Sequence, residues 1–317
     1  MITESELTAM LTLLDDPDEE VVKSVEGHLL SLGNDAVRLL EKFWDTDITG
    51  ETQFKIEQLI NKIQFENLKS ELEAWKNTPS KDLFEGAYLI TRFQFPNLNK
   101  QDLENKLNKI KLDAWLELKY DLTALEKVRI LNHIFYDING FRGDTDTYHS
   151  PQNSFINIVL DRKQGNPISL AIIYSIIAQR LNIPIFGVNL PQHFVLAYMD
   201  SYPEFPLDYN EEAPHLTPEL FSDVMFYINP FNKGLVFSKY NVDEFLRQLR
   251  LEPLDSYFLP CSNVEIIKRV IRNLVTAFTQ TEQRDKVQQL AELMVILGGK
   301  IEMEDDENPP NDFGDEE

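Results

Sequence analysis

Apolar residues recur at helical spacing through the first 137 residues of the chain. One such stripe lies near residue 60 and consists of Ile56, Leu59, Ile60 and Ile63. A stripe with this spacing buries one face of a helix. The same pattern predicts helices over residues 100–120 and 124–136, after a break at residues 95–99. Trp75 and Trp115 are expected to anchor the core of this helical region. His133 lies in an apolar stretch, which favours a packed histidine over a metal ligand.

The N-terminal residues predict short helices separated by tight turns. The segments LLDDPDEEV and LLSLGNDAVRLL combine a helix start, with Asp16 as cap and Pro17 at the first helical position, and a helix stop at Gly33. Together they resemble one HEAT-type helical repeat. Because stacked repeats need several units to bury a core, one repeat predicts a small helical module rather than a solenoid.

The pattern changes after residue 180, where short runs rich in β-branched and aromatic residues begin. These runs predict four strands, over residues 183–191, 193–199, 224–228 and 235–237. The last two should form a hairpin around the turn at residues 229–234. Helical spacing then returns and predicts an antiparallel helix pair over residues 264–279 and 283–297. The predicted fold class is therefore α+β.

The segment from Gln164 to Tyr174 joins these two parts of the chain. Asn166 is a good N-cap, Pro167 then occupies the first helical position, and Ser169 lies in the first turn. The residues after Ser169 are apolar nearly all the way round, as expected of a helix inside a core. A serine at the positive end of a helix dipole could act as a nucleophile or hold an anion. The alternative is that Ser169 only satisfies a helix-start amide.

Two polar residues of the predicted sheet could complete a catalytic site with Ser169. His193 begins one strand, and Asn229 follows the end of another. If these strands pair antiparallel, the start of one lies beside the end of the other. Ser169, His193 and Asn229 would then meet in the order nucleophile, base and orienting residue.

Several motifs in this region carry a family resemblance. GFRGDTDTYHSPQNSFINIVLDRKQGNPISLAIIYSIIAQRLNIPIFGVNLPQHFVLAY, followed by INPFNKG, resembles the SirB-type family of bacterial transglutaminase-like proteins over roughly residues 130–240. The resemblance implies a papain/transglutaminase-like core, in which a buried helix packs on a small antiparallel sheet. It also implies a tetratricopeptide-like helical region after the core, for which this chain has room for about one helix pair.

The resemblance also implies a catalytic triad at three positions of this chain. The superfamily's catalytic cysteine, histidine and aspartate fall on Ser169, His193 and Asn229. The SirB-type branch commonly has serine in its PISL motif, but its DPF motif usually has the aspartate that Asn229 replaces. A cysteine at a helix start can form a thiolate, whereas a serine hydroxyl must lose its proton as it attacks. Asparagine offers no negative charge to an imidazolium. Asn229 could still orient the ring, so the implied Ser-His-Asn triad is degenerate.

Other candidate residues near these motifs have simpler explanations. Gln164 could donate to an oxyanion, but a turn residue is the favoured interpretation. His149 and Asp146 could line the same cleft, although a solvated loop explains both. Cys261 lies outside the matched motifs and is not the predicted nucleophile. We predict no metal site and no cofactor.

Composition limits the classes of partner and compartment. The net charge is −23, from 53 acidic and 30 basic residues, and nine of the acids lie in residues 301–317. Such a chain repels phosphate backbones, so no nucleic-acid partner is expected. A single cysteine excludes an internal disulfide. The first residues lack the pattern of a signal peptide, and no apolar run is long enough for a membrane span. We therefore expect a cytoplasmic protein without membrane contact.

These observations predict four regions and leave three functional hypotheses. The regions are a helical N-terminal part over residues 1–125, a transglutaminase-like core over 126–245, a C-terminal helix pair over 246–299, and a disordered acidic tail over 300–317. The favoured function is a regulatory or protein-binding module, with a protein or peptide as partner. The alternatives are a serine-dependent hydrolase or acyltransferase acting on an amide or ester, and a purely helical scaffold.

Overall fold

The computed structural model describes residues 4–14, 16–44, 50–202 and 223–301 of the chain. The predicted acidic tail, apart from its first two residues, lies outside these ranges. The described part is an α+β fold with a four-stranded antiparallel sheet. Its α-helices are α1 Glu4–Leu13, α2 Glu19–Leu32, α3 Asn34–Trp44, α4 Gly50–Lys76, α5 Leu83–Arg92, α6 Lys100–Glu117, α7 Ala124–Asn132, α8 Ile156–Arg162, α9 Pro167–Arg180, α10 Lys239–Gln248, α11 Asn263–Gln280 and α12 Arg284–Ile296.

The strands are short and lie mostly where the sequence predicts them. They are β1 Arg142–Gly143, β2 Gln164–Gly165, β3 Ile185–Leu190, β4 His193–Met199, β5 Val224–Asn229 and β6 Leu235–Phe237. The order in the larger sheet is β3-β4-β5-β6, with every neighbouring pair antiparallel. The predicted hairpin of the last two strands is confirmed. A two-residue parallel pairing of β1 with β2 places the loop after α7 beside the start of α9.

The N-terminal helices have a hydrophobic core of their own. It contains Leu11, Leu14, Val25, Leu29, Ala36, Val37, Leu40, Ile56, Leu59 and Ile63. The start of α2 differs from the sequence prediction, because the side chain of Asp18, and not Asp16, accepts the helix-start N–H of Glu20. Asp16 instead accepts the N–H of Asp18. Gly33 does end α2, with φ +55°.

A second and larger core extends along most of the remaining chain. It runs from Leu68, in the C-terminal half of α4, to Leu297, just after α12. Helix α9 lies within it, and 11 of the 14 residues of α9 are buried. This core crosses the region boundaries expected near residues 125 and 245. The C-terminal helix pair is confirmed as α11 and α12, and it packs on the same core as α9.

Two residues expected inside the helical region lie at its surface. Trp75 is buried as predicted, but the prediction for Trp115 is wrong, since its exposure is 61%. Helix α6 buries the face that carries Leu103, Leu107, Ile110 and Ala114. Trp115 follows Ala114 directly and is therefore rotated about 100° away from it around the helix axis. His133 is also half-exposed, and its Nδ1 lies 3.0 Å from Asp137 Oδ2. It begins a π-helical segment, His133–Ile138, that continues α7.

The two faces of the larger sheet pack against different parts of the molecule. Phe194, Leu196 and Tyr198 of β4 join the core that contains α9. Val195, Ala197 and Met199 point to the opposite face, where they pack with Val242 and Leu246 of α10. Strand β4 is therefore apolar on both faces, because each face is covered by a helix.

Candidate functional site

The start of α9 is built as the sequence predicts. Asn166 is the N-cap, with φ −84° and ψ 172°, and Pro167 is the first helical residue. Asn166 Oδ1 accepts the N–H of Ser169 at 3.0 Å, and Asn166 Nδ2 donates to Ser154 Oγ at 2.9 Å. A buried helix start needs such partners, because its first amides have no acceptors within the helix.

Ser169 is sealed inside the protein. Its exposure is 0%, and its hydroxyl donates to the backbone carbonyl of Asn166 at 3.1 Å. The backbone of Gly165 closes over this hydroxyl so tightly that an added Cβ would lie 2.5 Å from Ser169 Oγ and 3.0 Å from a methyl group of Val159. The hydroxyl therefore has an internal acceptor and no open approach for a substrate.

A buried carboxylate organises the loop in front of α9. Asp144 is 2% exposed and accepts hydrogen bonds from the Thr147 N–H at 2.9 Å, the Thr147 hydroxyl at 2.7 Å and Arg162 Nη2 at 3.2 Å. Burial alone would raise the pKa of Asp144. The bonds from Thr147, a bond from Asn153 and the charge of Arg162 outweigh it, so the pKa of Asp144 is lowered.

His193 lies on the other side of the sheet from α9. It shares the face of Val195 and Ala197, since side chains alternate along a strand, and its ring packs against Phe245 of α10 with the centroids 4.9 Å apart. Ser169 belongs to the helix that covers the opposite face. Ser169 Oγ donates to Asn166 and the His193 ring packs on Phe245, and no hydrogen bond joins Ser169 to His193 in the described part of the chain.

Asn229 lies at the end of β5 and forms the turn that follows. Its Oδ1 accepts the backbone N–H groups of Phe231 at 3.1 Å and Asn232 at 3.2 Å. The pairing of Leu196 with Ile228 confirms that β4 and β5 are antiparallel. The predicted neighbourhood of the two strand ends is thus correct, but the side-chain oxygen of Asn229 is used by the turn and not by an imidazole.

The secondary candidates also have structural partners. With its amide oxygen oriented towards Arg142, Gln164 accepts from Arg142 Nε at 2.9 Å and Nη2 at 2.7 Å. Asp146 and His149 are exposed, and the His149 ring packs edge-on against Tyr148. Burial raises the pKa of Cys261 to about 12, with a further contribution from Glu265. Cys261 is therefore a protonated and weakly nucleophilic thiol at neutral pH.

Two classes of site have no support in the described residues. No group of three or more His, Cys, Asp or Glu side chains there could hold a metal ion. Within the same ranges, no helix combines the length and apolar character that crossing a membrane requires.

His193 has an unusual electrostatic setting for a half-exposed histidine. Partial burial lowers its pKa, and the charge of Arg269 on α11 lowers it further. Arg269 reaches the end of the β3–β4 hairpin, where its Nη1 donates to Asn189 Oδ1 at 2.5 Å and to the carbonyl of Leu190 at 3.2 Å. Leu190 is the residue paired with His193.

We expect the pKa of His193 to lie below about 6.5 and to rise when Arg269 is replaced by glutamine, because a nearby cation disfavours the imidazolium. The measurement is an NMR titration of the imidazole signals, which are few because the chain has five histidines. His193→Gln assigns the signal. Arg272→Gln, which removes an exposed charge one turn further along α11, is the control and should leave the pKa of His193 unchanged. An unchanged pKa in Arg269→Gln would contradict the assigned cause.

Comparison with known proteins identifies the class of protein that this arrangement belongs to. The sequence profile described as "Transglutaminase-like superfamily" matches residues 101–272. That range is more than half of the chain and includes α9, the sheet and most of α11. The chain belongs to the transglutaminase-like superfamily.

Several known proteins are similar to parts of this chain. A UPF0162 protein of Xylella fastidiosa is 28% identical over 242 residues, which cover 71% of this chain and 77% of that protein. A UPF0162 protein of Vibrio cholerae is 26% identical over 155 residues, about half of each chain, at 49% and 50%. Human F-box only protein 21 is 32% identical over 104 residues, which are 33% of this chain but 14% of that protein. No solved structure matches the chain significantly.

Proposed function

We propose that this protein is a regulatory or protein-binding module that keeps the transglutaminase-like core without its catalytic chemistry. The observation that carries this proposal is the state of Ser169, which is fully buried with its hydroxyl bonded to Asn166. A nucleophile needs a base within hydrogen-bond reach and an open path to the substrate. The burial of Ser169, the internal bond of its hydroxyl and the packing of His193 on Phe245 support the binding module over an enzyme.

The finer assignments follow from the motifs and from the surface charge. We propose that the chain is of the SirB type within the superfamily, and that α11 and α12 are a short tetratricopeptide-like flank. The net charge of −23 supports a protein or peptide partner rather than a nucleic acid, in the cytoplasm.

A serine-dependent hydrolase or acyltransferase is the second candidate. The retention of His193 at the start of β4 and the N-capped start of α9 at Ser169 favour it. Catalysis by this route requires the β2–α9 connection to open and the His193 ring to leave Phe245 and approach Ser169. Either movement would break contacts of the buried core, so the structure favours the binding module.

Reaction with a serine-directed fluorophosphonate probe separates the two candidates. We expect the wild-type protein to be labelled no faster than Ser169→Ala, because the hydroxyl is inaccessible and has no base. His193→Ala should behave in the same way. Circular dichroism spectra and thermal unfolding of all three proteins serve as the folding control. Labelling of the wild type that both substitutions abolish would make the protein an active serine enzyme and overturn the proposal.

A further inference from the structure

Arg269 is a half-buried cation that the proposed function does not yet use. It extends from α11 to the β3–β4 hairpin, and its two hydrogen bonds are both made by Nη1. A guanidinium has five donors arranged as a planar fork. In the described part of the chain, Nε and Nη2 of Arg269 have no protein acceptor.

The partners of Arg269 are neutral, which is unusual for a charge withdrawn from water. The ion pairs formed within residues 4–14, 16–44, 50–202 and 223–301 do not include Arg269. Burial and the charge of Arg272 lower the pKa of Arg269, while the guanidinium stays charged at neutral pH. Buried charges are normally paired, because desolvation without a counter-charge costs free energy.

The surroundings of Arg269 include His193 at the start of β4. Leu190, whose carbonyl accepts from Arg269 Nη1, is paired with His193 across the β3–β4 hairpin, and the charge of Arg269 lowers the pKa of His193. In a chain with a net charge of −23, this is a local cationic site bordered by an imidazole that can donate a hydrogen bond.

We propose that Arg269 and His193 form a binding site for a carboxylate, with the free edge of the Arg269 guanidinium as its main contact. A carboxylate matches the planar fork and can accept two parallel N–H bonds from it. His193 would bind the same anion from the rim.

A purely structural role for Arg269 accounts for less of what is seen. Attachment of the hairpin to α11 uses Nη1 alone, and a neutral donor such as glutamine could supply it without the desolvation cost of a charge.

The long-range repulsion of an acidic ligand by the net charge of the protein is limited, because the screening length is about 8 Å at physiological salt. A ligand within the site therefore experiences mainly the charge of Arg269.

This inference rests on the proposed binding function in one respect, namely whether the carboxylate belongs to a protein partner. It can be a glutamate or aspartate side chain of a protein partner, or a small free carboxylate. The test uses three probes, acetyl-Gly-Glu-Gly-amide, its glutamine counterpart acetyl-Gly-Gln-Gly-amide, and acetate. Each is titrated into the full-length protein at constant ionic strength with chloride, and the NMR signal of His193 reports binding.

We expect the glutamate peptide to shift the His193 signal to saturation and to raise the pKa of His193, while the glutamine peptide does neither. Arg269→Gln should weaken the apparent affinity at least about tenfold, which corresponds to about 1.4 kcal/mol. Arg269→Lys keeps the charge but loses the fork, so its affinity should be intermediate. Arg272→Gln is the matched control on the same helix and should bind like the wild type.

The probes also distinguish the source of the carboxylate. Saturation by the peptide at concentrations at which acetate has no effect supports a peptide ligand, and equal saturation by both supports a small carboxylate. Shifts that do not saturate, that the glutamine peptide reproduces, or that persist in a folded Arg269→Gln variant would overturn the proposal. None of these results depends on the reactivity of Ser169, so failure here and failure of the proposed binding function are separable.

Discussion

Replacement of Gly234 by alanine is expected to lower the free energy of unfolding by about 3–5 kcal/mol. Gly234 has φ +67°, where a side chain costs about 1–2 kcal/mol. An added Cβ would also lie 2.1 Å from Asn132 Oδ1. Asn132 has little freedom to move, because its Nδ2 donates to the Gly234 carbonyl and its Oδ1 accepts from the Tyr174 hydroxyl, both at 2.9 Å. The clash adds about 2–3 kcal/mol, either as overpacking if Asn132 stays in place or, if it moves, through its two lost bonds at about 1 kcal/mol each.

Urea unfolding of Gly234→Ala and of Gly140→Ala separates the cost of the contact with Asn132 from the cost of the positive φ. Gly140 has a similar φ of +73°, but an added Cβ there meets nothing within 4 Å. Its replacement should therefore cost only the backbone term of about 1–2 kcal/mol. Equal losses in the two variants would show that Asn132 does not hold the β5–β6 turn against α7 and α9. A larger loss in Gly234→Ala would support the contact as a determinant of the fold.

Much of the secondary structure follows from local pattern. The cap at Asn166, the helix start at Pro167 and the hairpin of β5 and β6 are as predicted. Each depends on residues close together in sequence, where capping and turn chemistry are decisive. The predicted start of α2 is too early because Asp16 and Asp18 are both good caps, and the structure uses Asp18 for the helix start and Asp16 for the turn before it.

The arrangement of the candidate site could not be predicted in the same way. The alternation of β4 correctly groups His193 with Val195 and Ala197. It does not say which face meets α9, because Phe194, Leu196 and Tyr198 on the other face are equally apolar. With both faces buried, the hydrophobic pattern carries no information about the side on which a given helix packs. The expectation that Ser169 and His193 meet rested on the antiparallel pairing of the two strands, which places strand ends side by side but does not fix the face on which a side chain lies, and on the family resemblance.

Long-range polar contacts were missed for a related reason. The pairing of Asp144 with Arg162 joins two segments that are 18 residues apart, and that of Arg269 with the β3–β4 hairpin spans about 80 residues. Neither pair has a characteristic spacing. The charge at Asp144 and Arg269 was visible in the sequence, but its burial depends on tertiary structure.

The second large effect is expected at Asp144, where asparagine should destabilise the protein by about 2–3 kcal/mol at pH 7. The carboxylate is buried and receives three hydrogen bonds on its two oxygens. Asparagine keeps one accepting oxygen, but its nitrogen cannot accept the bonds made to the other. Loss of one member of a buried ion pair costs about 3–5 kcal/mol. Because the side chain of Arg162 is 34% exposed and thus partly hydrated, we expect a smaller value. Asp146→Asn, in the exposed part of the same loop, is the control and should stay within about 0.5 kcal/mol of wild type.

The pH dependence of this loss provides an independent check. The folded-state pKa of Asp144 is lowered, so its contribution to stability is fully present above the pKa of the unfolded chain, about 3.9. The contribution is lost as the pH falls through the lower, folded-state value. The difference in unfolding free energy between wild type and Asp144→Asn should therefore be full at pH 7 and clearly smaller at pH 3. These two values avoid the isoelectric point near 4.6, where solubility is lowest. A difference that is unchanged at pH 3 would mean that the ionised carboxylate does not hold the loop in front of α9.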